Sequence, residues 1–234
     1  MRFQSWAASH PGAVRSHNED SFVDRSDIGL WAVADGAGGH DAGEVASGLL
    51  KQALDAIPPA LSASELLAQV RLRVGEVHQA LREEAQKRSS RTVIASTLVV
   101  LLARDGHFAC LWAGDSRVYL LRDGALSQVT RDHSLVQELV DAGTITAEEA
   151  DGHPRANVIT RAVGAAETME LDKVSNRLVA GDRFLLCSDG LSKTLADAEL
   201  AELLADPGPA ERLIAEALAR RASDNITVVA VEAF

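Results

Sequence analysis

Four aspartates stand beside apolar runs of the 234-residue chain, and this pattern constrains its fold more than any other feature. Asp35 follows the run IGLWAVA, Asp115 follows FACLWAG, Asp189 follows FLLCS, and Asp224 precedes ITVVAV by two residues. These runs are rich in the large and β-branched residues typical of buried strands. Acids at the strand ends of one sheet system can converge on one point, and hard cations such as Mg²⁺ and Mn²⁺ prefer such oxygen ligands. The pattern indicates a metal site, although solvated turns are an equally common place for aspartate.

Two of the five Asp-Gly pairs, those at Asp35 and Asp189, do not fit the usual interpretation of such pairs as tight turns. Asp35 leads into a glycine-rich stretch and then an amphipathic helix over about residues 44–54. Asp189 leads into the sequence GLSKTL and another helix, not into a returning strand. The pairs at Asp105 and Asp123 do follow strand-like runs and predict hairpins.

The order of strand-like and helical patterns predicts an α+β domain. Six runs are predicted as strands: Ile28–Ala34, Ile94–Ala103, Phe108–Ala113, Val118–Leu121, Phe184–Cys187 and Ile226–Val231. The second, third and fourth are closely spaced, which predicts an antiparallel meander. Helices are predicted around Leu66–Leu81, after a capping box from Ser62 to Glu65, and around Leu213–Leu218. We therefore expect antiparallel sheets with helices packed outside them, in a single domain over residues 1–234.

The segment from Thr130 to Gly164 is more polar and irregular than the rest of the chain. It contains a short helical pattern around Leu135–Val140 and a capping-box signal from Thr146 to Glu149. An insertion of this kind usually lies on the surface beside a site, although a plain structural excursion is about as common.

Charge and cysteine content disfavour several classes of function. With 23 basic and 34 acidic side chains the net charge is −11, so nonspecific binding to nucleic acid or an anionic membrane is not expected. Cys110 and Cys187 lie in apolar runs without metal-ligand spacing and are expected to be buried free thiols. No apolar run approaches the roughly 18 residues that span a bilayer, and residues 1–12 lack the pattern of a signal peptide. We expect a cytoplasmic monomer.

The N-terminal run Arg15-Ser16-His17-Asn18-Glu19-Asp20-Ser21 places a guanidinium, whose planar fork matches phosphate oxygens, close to two acids. With this run, the chain closely resembles the metal-dependent protein serine/threonine phosphatases of the protein phosphatase 2C type, in their compact bacterial form. The resemblance covers essentially the whole chain. No single segment is decisive, but their ordered set is very specific: GAVRSHNEDS, VADGAGGHDAGEVAS, AGDSRVYLLRDG, QVTRDHSLVQELVDAGTIT, HPRANVITRAVG, LLCSDGLSKTL and SDNITVVAV.

The resemblance implies a central antiparallel β-sandwich flanked by helix pairs, in α-β-β-α layers, with two Mn²⁺ or Mg²⁺ ions in a cleft at one edge. Asp35 would bridge both ions, and the Gly36 carbonyl would bind the first. Asp189 and Asp224 would bind the second ion. Asp115, together with Asp189, would serve a weaker third ion.

Other residues are implied to act on water and substrate. Glu19 and Asp20 would hold metal-bound waters, and Arg15 would bind the substrate phosphate. Asn225 would support the site without itself binding an ion. Residues 130–164 would form a flap beside the cleft. The ions would activate a water that attacks phosphoserine or phosphothreonine in line, without a phosphoenzyme. The implied partners are phosphorylated proteins and a serine/threonine kinase that the enzyme counteracts.

Two residues depart from the family pattern. Many relatives carry histidine directly after the Asp-Gly pair, where it is thought to protonate the leaving oxygen, but this chain has Ala37 there. His40 lies three residues onward and is the candidate replacement, against the more common interpretation that such a histidine braces its turn. Bacterial relatives often have aspartate where this chain has Lys193, which affects the expected third ion.

Two other classes of function stay open at this point. One is a non-catalytic member that binds phosphoproteins, which the presence of Asp35, Asp189 and Asp224 disfavours. The other is a metal-dependent hydrolase of small phosphoesters, which the residues alone do not distinguish from a protein phosphatase.

Overall fold

The computed structural model describes residues 1–38, 42–88 and 92–234, which form two antiparallel sheets. The strands are β1 (Phe3–His10), β2 (Asp20–Arg25), β3 (Leu30–Ala37), β4 (Ala95–Ser96), β5 (Leu98–Arg104), β6 (His107–Ala113), β7 (Arg117–Arg122), β8 (Ala125–Gln128), β9 (Asp172–Arg177), β10 (Arg183–Cys187) and β11 (Ile226–Ala233). One sheet has the order β1-β11-β10-β7-β8. The other has the order β2-β3-β5-β6-β9, with the short β4 beside β3.

The helices are α1 (Ala42–Asp55), α2 (Ala63–Arg88), α3 (Leu135–Asp141), α4 (Ala147–Asp151), α5 (Asp189–Ser192), α6 (Asp197–Ala205) and α7 (Ala210–Ala219). All of these except α3 and α4, which lie in the segment 130–164, cover the outer face of a sheet. The apolar faces of α1 and α2 pack on the sheet that contains β3, through residues such as Leu50 and Leu81. Helices α5, α6 and α7 pack on the other sheet through Leu191, Leu200 and Leu213.

A third apolar layer lies between the two sheets. Trp31, Phe184 and Val229 are buried there, and the rings of Phe108 and Phe184 meet edge to face at 4.9 Å between centroids. The order of layers is α-β-β-α, which confirms the predicted fold class. None of the helices in the described ranges combines the length and the apolar character needed to cross a membrane.

The predicted three-stranded meander is wrong at its third strand. Strands β5 and β6 pair through the Asp105-Gly106 turn as expected, but β7 lies in the other sheet, between β10 and β8. The chain crosses between the sheets at Gly114, where φ is +115°. A Cβ at Gly114 would lie 2.6 Å from the side chain of Thr97, so only glycine fits this approach. The crossing brings Asp115 to the boundary between the sheets.

Asp35 lies inside a strand and not after one. The prediction ended the strand at Ala34, but β3 continues to Ala37 because β4 pairs with its last two residues. The backbone of Asp35 is held on both sides: its carbonyl accepts from the Thr97 amide at 2.8 Å and the Ser96 hydroxyl at 2.9 Å, and its amide donates to Thr97 Oγ1 at 3.2 Å. The backbone position from which this carboxylate projects is therefore fixed by the sheet.

The segment 130–164 contains the two short helices α3 and α4. The predicted capping box of α4 is present, with reciprocal bonds between Thr146 and Glu149. The segment returns to the sheets where the backbones of Ser96 and Val163 exchange hydrogen bonds of 2.9 and 3.0 Å. It is thereby attached next to the strand end that carries Asp35.

Candidate active site

Strand pairing places Asp20 directly opposite Asp35. Asp20 is the first residue of β2, and the β2–β3 register makes these two residues partners. The Asp20 side chain is buried, and one carboxylate oxygen accepts from the Ser188 hydroxyl at 2.7 Å. Its other oxygen, Oδ1, is buried without a hydrogen-bond partner among the described residues. An unpartnered buried carboxylate oxygen is costly, so this position favours a cation.

Asp189 and Asp224 reach the same edge from two paired strands. Asp189 begins α5 just after β10, and Asp224 stands two residues before β11. Because β10 and β11 pair antiparallel, the end of the first adjoins the start of the second. Gly190 allows this contact: a Cβ there would lie 2.0 Å from the Asn225 carbonyl oxygen. Gly190 therefore permits close packing against Asn225, and the Asp189-Gly190 pair begins a helix and does not form a hairpin turn.

Asp115 follows the sheet crossing at Gly114 and is 4% exposed. Its Oδ2 lies 3.4 Å from Lys193 Nζ, and its Oδ1 is buried with no hydrogen-bond partner in the part of the chain that the structure describes. The same ammonium lies 2.6 Å from Asp189 Oδ2. Lys193 thus links Asp115 to Asp189.

These five residues form an aspartate cluster: Asp20, Asp35, Asp115, Asp189 and Asp224. Burial raises the pKa of Asp35 well above its ordinary value, and the charges of the other four members raise it further. Burial likewise raises the pKa of Asp20 to about 7 and that of Asp115 to about 6, with Asp189 acting in the same direction on both. Carboxylates that resist ionisation together are stabilised by a cation among them.

The residues of the cluster fit a hard divalent ion by their chemistry. All are oxygen donors, two of them carry a buried unpartnered oxygen, and their charges repel. In the described part of the chain, no group of three or more His, Cys, Asp and Glu side chains has the arrangement needed to hold a metal ion. Binding an ion therefore requires some movement of these side chains.

The N-terminal loop is fastened to this edge by Asn225. The Asn225 amide nitrogen donates to the carbonyl oxygens of Pro11 and His17 at 3.0 and 2.9 Å, and its oxygen accepts from the Glu19 amide at 2.8 Å. The family resemblance implied a supporting position for Asn225, and its three side-chain bonds are those of a residue that orders the loop. Arg15, on the same loop, pairs with Asp224 at 3.0 Å.

Gly36 and Glu19 meet the start of α1. The Gly36 amide donates to the Glu19 carbonyl at 3.1 Å, and a Cβ on Gly36 would lie 2.1 Å from the Gly43 carbonyl oxygen. Burial raises the pKa of the Glu19 carboxyl, although the nearby Arg15 charge opposes this. The structure thus brings Glu19 and Gly36 to the side of the cluster that holds Asp20 and Asp35.

The geometry agrees with comparisons to known proteins. A sequence model of the family described as Protein phosphatase 2C matches residues 12–225. The chain belongs to the protein phosphatase 2C family. It is 41% identical over 229 residues to the serine/threonine protein phosphatase PstP of Mycobacterium tuberculosis, an alignment that covers 97% of this chain and 44% of the relative. The chain therefore spans less than half the length of that curated relative.

Solved structures of protein phosphatase 2C relatives have the same fold. The structure described as PppA, a key regulatory component of T6SS in Pseudomonas aeruginosa, is 44% identical with a TM-score of 0.92, covering 100% of this chain and 99% of that one. The catalytic domain of PstP, solved in complex with two manganese ions, is 39% identical with a TM-score of 0.84, covering 98% and 97%. The predicted family is confirmed, and the names of the relatives agree with the predicted serine/threonine phosphatase class.

Sequence reasoning missed one residue of this protein phosphatase 2C site, Ser188. Its hydroxyl donates to Asp20 and accepts from the Thr227 amide at 2.9 Å. These bonds join β2 to the end of β10 and to β11 in the other sheet. No sequence signal links Ser188 to a residue 168 positions away; only its place before Asp189 hinted at the site. His40, the candidate acid that the sequence also allowed to be a brace of its turn, lies outside the described residues.

Proposed function

We propose that this chain hydrolyses phosphoserine and phosphothreonine in proteins, using water activated by two Mn²⁺ or Mg²⁺ ions. One observation carries the proposal: five aspartates from separate strands and loops meet at one edge of the sandwich, and two of them, Asp20 and Asp115, bury an oxygen that has no partner within residues 1–38, 42–88 and 92–234. The names of the relatives and the two manganese ions in one of them support it.

The proposed holders of the ions are the residues named from the sequence: Asp35, Gly36, Asp189 and Asp224, with Glu19 and Asp20 holding their waters. When bound, the two ions lower the pKa of a water so that a nucleophile exists near neutral pH, and they offset the phosphate charge. The sheet-fixed backbone of Asp35 orients the central carboxylate before any ion arrives.

Arg15 is proposed to bind the substrate phosphate. Its side chain is 54% exposed and is paired with Asp224 of the cluster. Because an exposed pair of this kind is weak, the guanidinium can exchange a carboxylate for a phosphate at little cost. The fork of its donors would then orient the phosphoryl group toward the cluster.

A cysteine nucleophile does not fit this chain. Cys187 is fully buried, and burial raises the pKa of its thiol to about 12. Cys110 is also buried, and its thiol pKa is raised by the same cause. Neither thiol is available as a thiolate near neutral pH, so direct attack by water is the better mechanism.

The remaining assignments stay predictions from the sequence. They are a single domain over residues 1–234 with a flap at 130–164, a monomer in the cytoplasm, and a kinase that shares its protein substrates. With Ala37 at the usual histidine position, the proton donor to the leaving serine or threonine oxygen is also unassigned by the described residues, since His40 lies outside them.

A substrate panel tests the proposal against its two alternatives. A phosphothreonine peptide, a phosphotyrosine peptide and a nucleoside triphosphate are each incubated with the protein in Mn²⁺ and in EDTA. We expect turnover of the phosphothreonine peptide, in Mn²⁺ only, well above the other two. Preference for the nucleotide would favour the small-phosphoester hydrolase, and tight peptide binding without turnover would favour the non-catalytic member.

A further inference from the structure

Lys193 occupies the outer half of the aspartate cluster. It caps the C-terminus of α5, one turn beyond Asp189, and its ammonium lies 2.6 Å from Asp189 Oδ2 and 3.4 Å from Asp115 Oδ2. A third contact, 2.9 Å to Asn157 Oδ1, reaches the segment 130–164. The nitrogen thus has three oxygen neighbours from three separate parts of the chain, which is a built arrangement and not a surface ion pair.

The contact between Lys193 and Asp115 differs from a surface ion pair because Asp115 is buried. The Asp115 side chain is 4% exposed, and no described residue forms a hydrogen bond with its second oxygen. Within the described ranges, Lys193 is the one cationic side chain paired with Asp115. A charge that is buried this far is retained only where an opposite charge accompanies it.

Space is available at this position for an ion from solution. Asp115 and Lys193 both line a cavity of about 760 Å³ that lies between α5 and the segment 130–164. A hydrated cation could therefore reach Asp115 and Asp189 if the ammonium did not already lie between them. Two cations at this spacing would repel each other strongly, so the lysine and a metal ion exclude one another.

We propose that Lys193 is a resident cation that takes the place of a third metal ion between Asp115 and Asp189 and limits this centre to two exchangeable ions. The inference rests on the proposed dimetal function and departs from the third ion expected from the sequence. Lys193 also joins this part of the centre to Asn157, so it is a positioning residue for the segment 130–164.

Counting bound manganese tests the proposal without an activity assay. Equilibrium dialysis, with free Mn²⁺ read by its paramagnetic resonance signal, gives the number of ions bound to the wild type, to Lys193→Met and Lys193→Gln, which remove the charge, and to Lys193→Arg, which keeps it. We expect two ions in the wild type and in Lys193→Arg, and three in both neutral variants. The third ion should bind at least about tenfold more tightly than any third ion in the wild type.

A double variant locates the added ion. In Lys193→Met combined with Asp115→Asn the count should return to two, and the melting temperature of each variant reports whether it is folded. A third ion in the wild type with the affinity of Lys193→Met, or no third ion in either neutral variant, would overturn the inference. Fewer than two ions in the wild type would contradict the proposed function instead, while the gain of one ion on removing the charge would still support the role of Lys193.

Discussion

The two pairs of aspartates at this edge of the sandwich differ in their counter-charges. The inner pair, Asp20 and Asp35, face each other across β2 and β3, and among the described residues neither forms a salt bridge, unlike the other cluster members. The outer pair, Asp115 and Asp189, share the Lys193 ammonium. We propose that the same residue type has two roles here: the inner carboxylates take a cation from solution, whereas Asp115 and the Oδ2 oxygen of Asp189 receive theirs from the chain.

The largest expected effect is a loss of phosphatase activity, which should be much greater in the inner pair than in Asp115. Asp35→Asn should lower the turnover of a phosphothreonine peptide by about three powers of ten, because loss of an ion removes several kcal/mol of transition-state stabilisation. Asp115→Asn should lower it far less. Asp105→Asn is the matched control, since Asp105 sits in the β5–β6 turn and should leave turnover unchanged. Equal losses in Asp35→Asn and Asp115→Asn would remove the distinction between the pairs.

The next effect concerns stability in the presence of metal. An ion that binds only the folded protein at 100 times its dissociation constant stabilises it by about 2.7 kcal/mol, or roughly 5 to 10 °C in melting temperature for a chain of this size. We expect this increase with Mn²⁺ in the wild type and in Lys193→Met, and its loss in Asp35→Asn. A wild-type melting temperature that Mn²⁺ leaves unmoved would count against an inner cation site.

A smaller effect is expected at Arg15, which pairs with Asp224, whereas Lys193 pairs with Asp115 and Asp189. Arg15→Ala should lower kcat/KM on a phosphothreonine peptide by roughly ten to a hundredfold, the value of a charge-assisted hydrogen bond of about 1.5 to 3 kcal/mol. Manganese stoichiometry should stay at that of the wild type. Arg15→Lys, which keeps the charge and loses the fork, should fall between. Unchanged kcat/KM in Arg15→Ala would make Arg15 a surface residue.

The smallest effect belongs to the support of the inner pair. Ser188→Ala removes the donor to Asp20 and the acceptor for the Thr227 amide, both buried. We expect a loss of about 1 to 2 kcal/mol in the free energy of unfolding, measured by urea denaturation. Ser175→Ala, on the exposed strand β9, should change it by less than about 0.5 kcal/mol. Equal values for the two variants would show that Ser188 does not hold Asp20.

Much of the fold follows from local patterns in the sequence. The capping box of α2 is present as predicted, with Glu65 Oε2 accepting from the Ser62 amide at 2.8 Å, because such signals depend on residues three positions apart. The edge strand β9, with the sequence DKVSNR, is exposed throughout and was not predicted, since it lacks any apolar alternation. Pairing with β6 creates this strand, and pairing is not a local property.

In the candidate active site, too, contacts between distant residues could not be predicted from local sequence patterns. The aspartates could be named from their places beside apolar runs and from family resemblance, but their partners could not. Lys193 meets Asp189 within one helical turn, yet its contacts with Asp115 and Asn157 join residues 78 and 36 positions apart. The crossing of β7 into the second sheet, which brings Asp115 into reach, depends on the fit of Gly114 against Thr97. Contacts of this kind arise from tertiary packing alone.

The central claim is that two solution cations bind at the inner aspartates, with Asp189 and Asp224 completing the second site, and that Lys193 takes the place of an ion between Asp115 and Asp189. Anomalous diffraction at the manganese absorption edge, from crystals grown with excess Mn²⁺, tests it most directly. We expect two strong peaks, both within coordination distance of Asp35 or its immediate neighbours, and no peak between Asp115 and Asp189, where the Lys193 ammonium should remain. A manganese peak between Asp115 and Asp189 with Lys193 displaced, or no peak beside Asp35, would contradict the account.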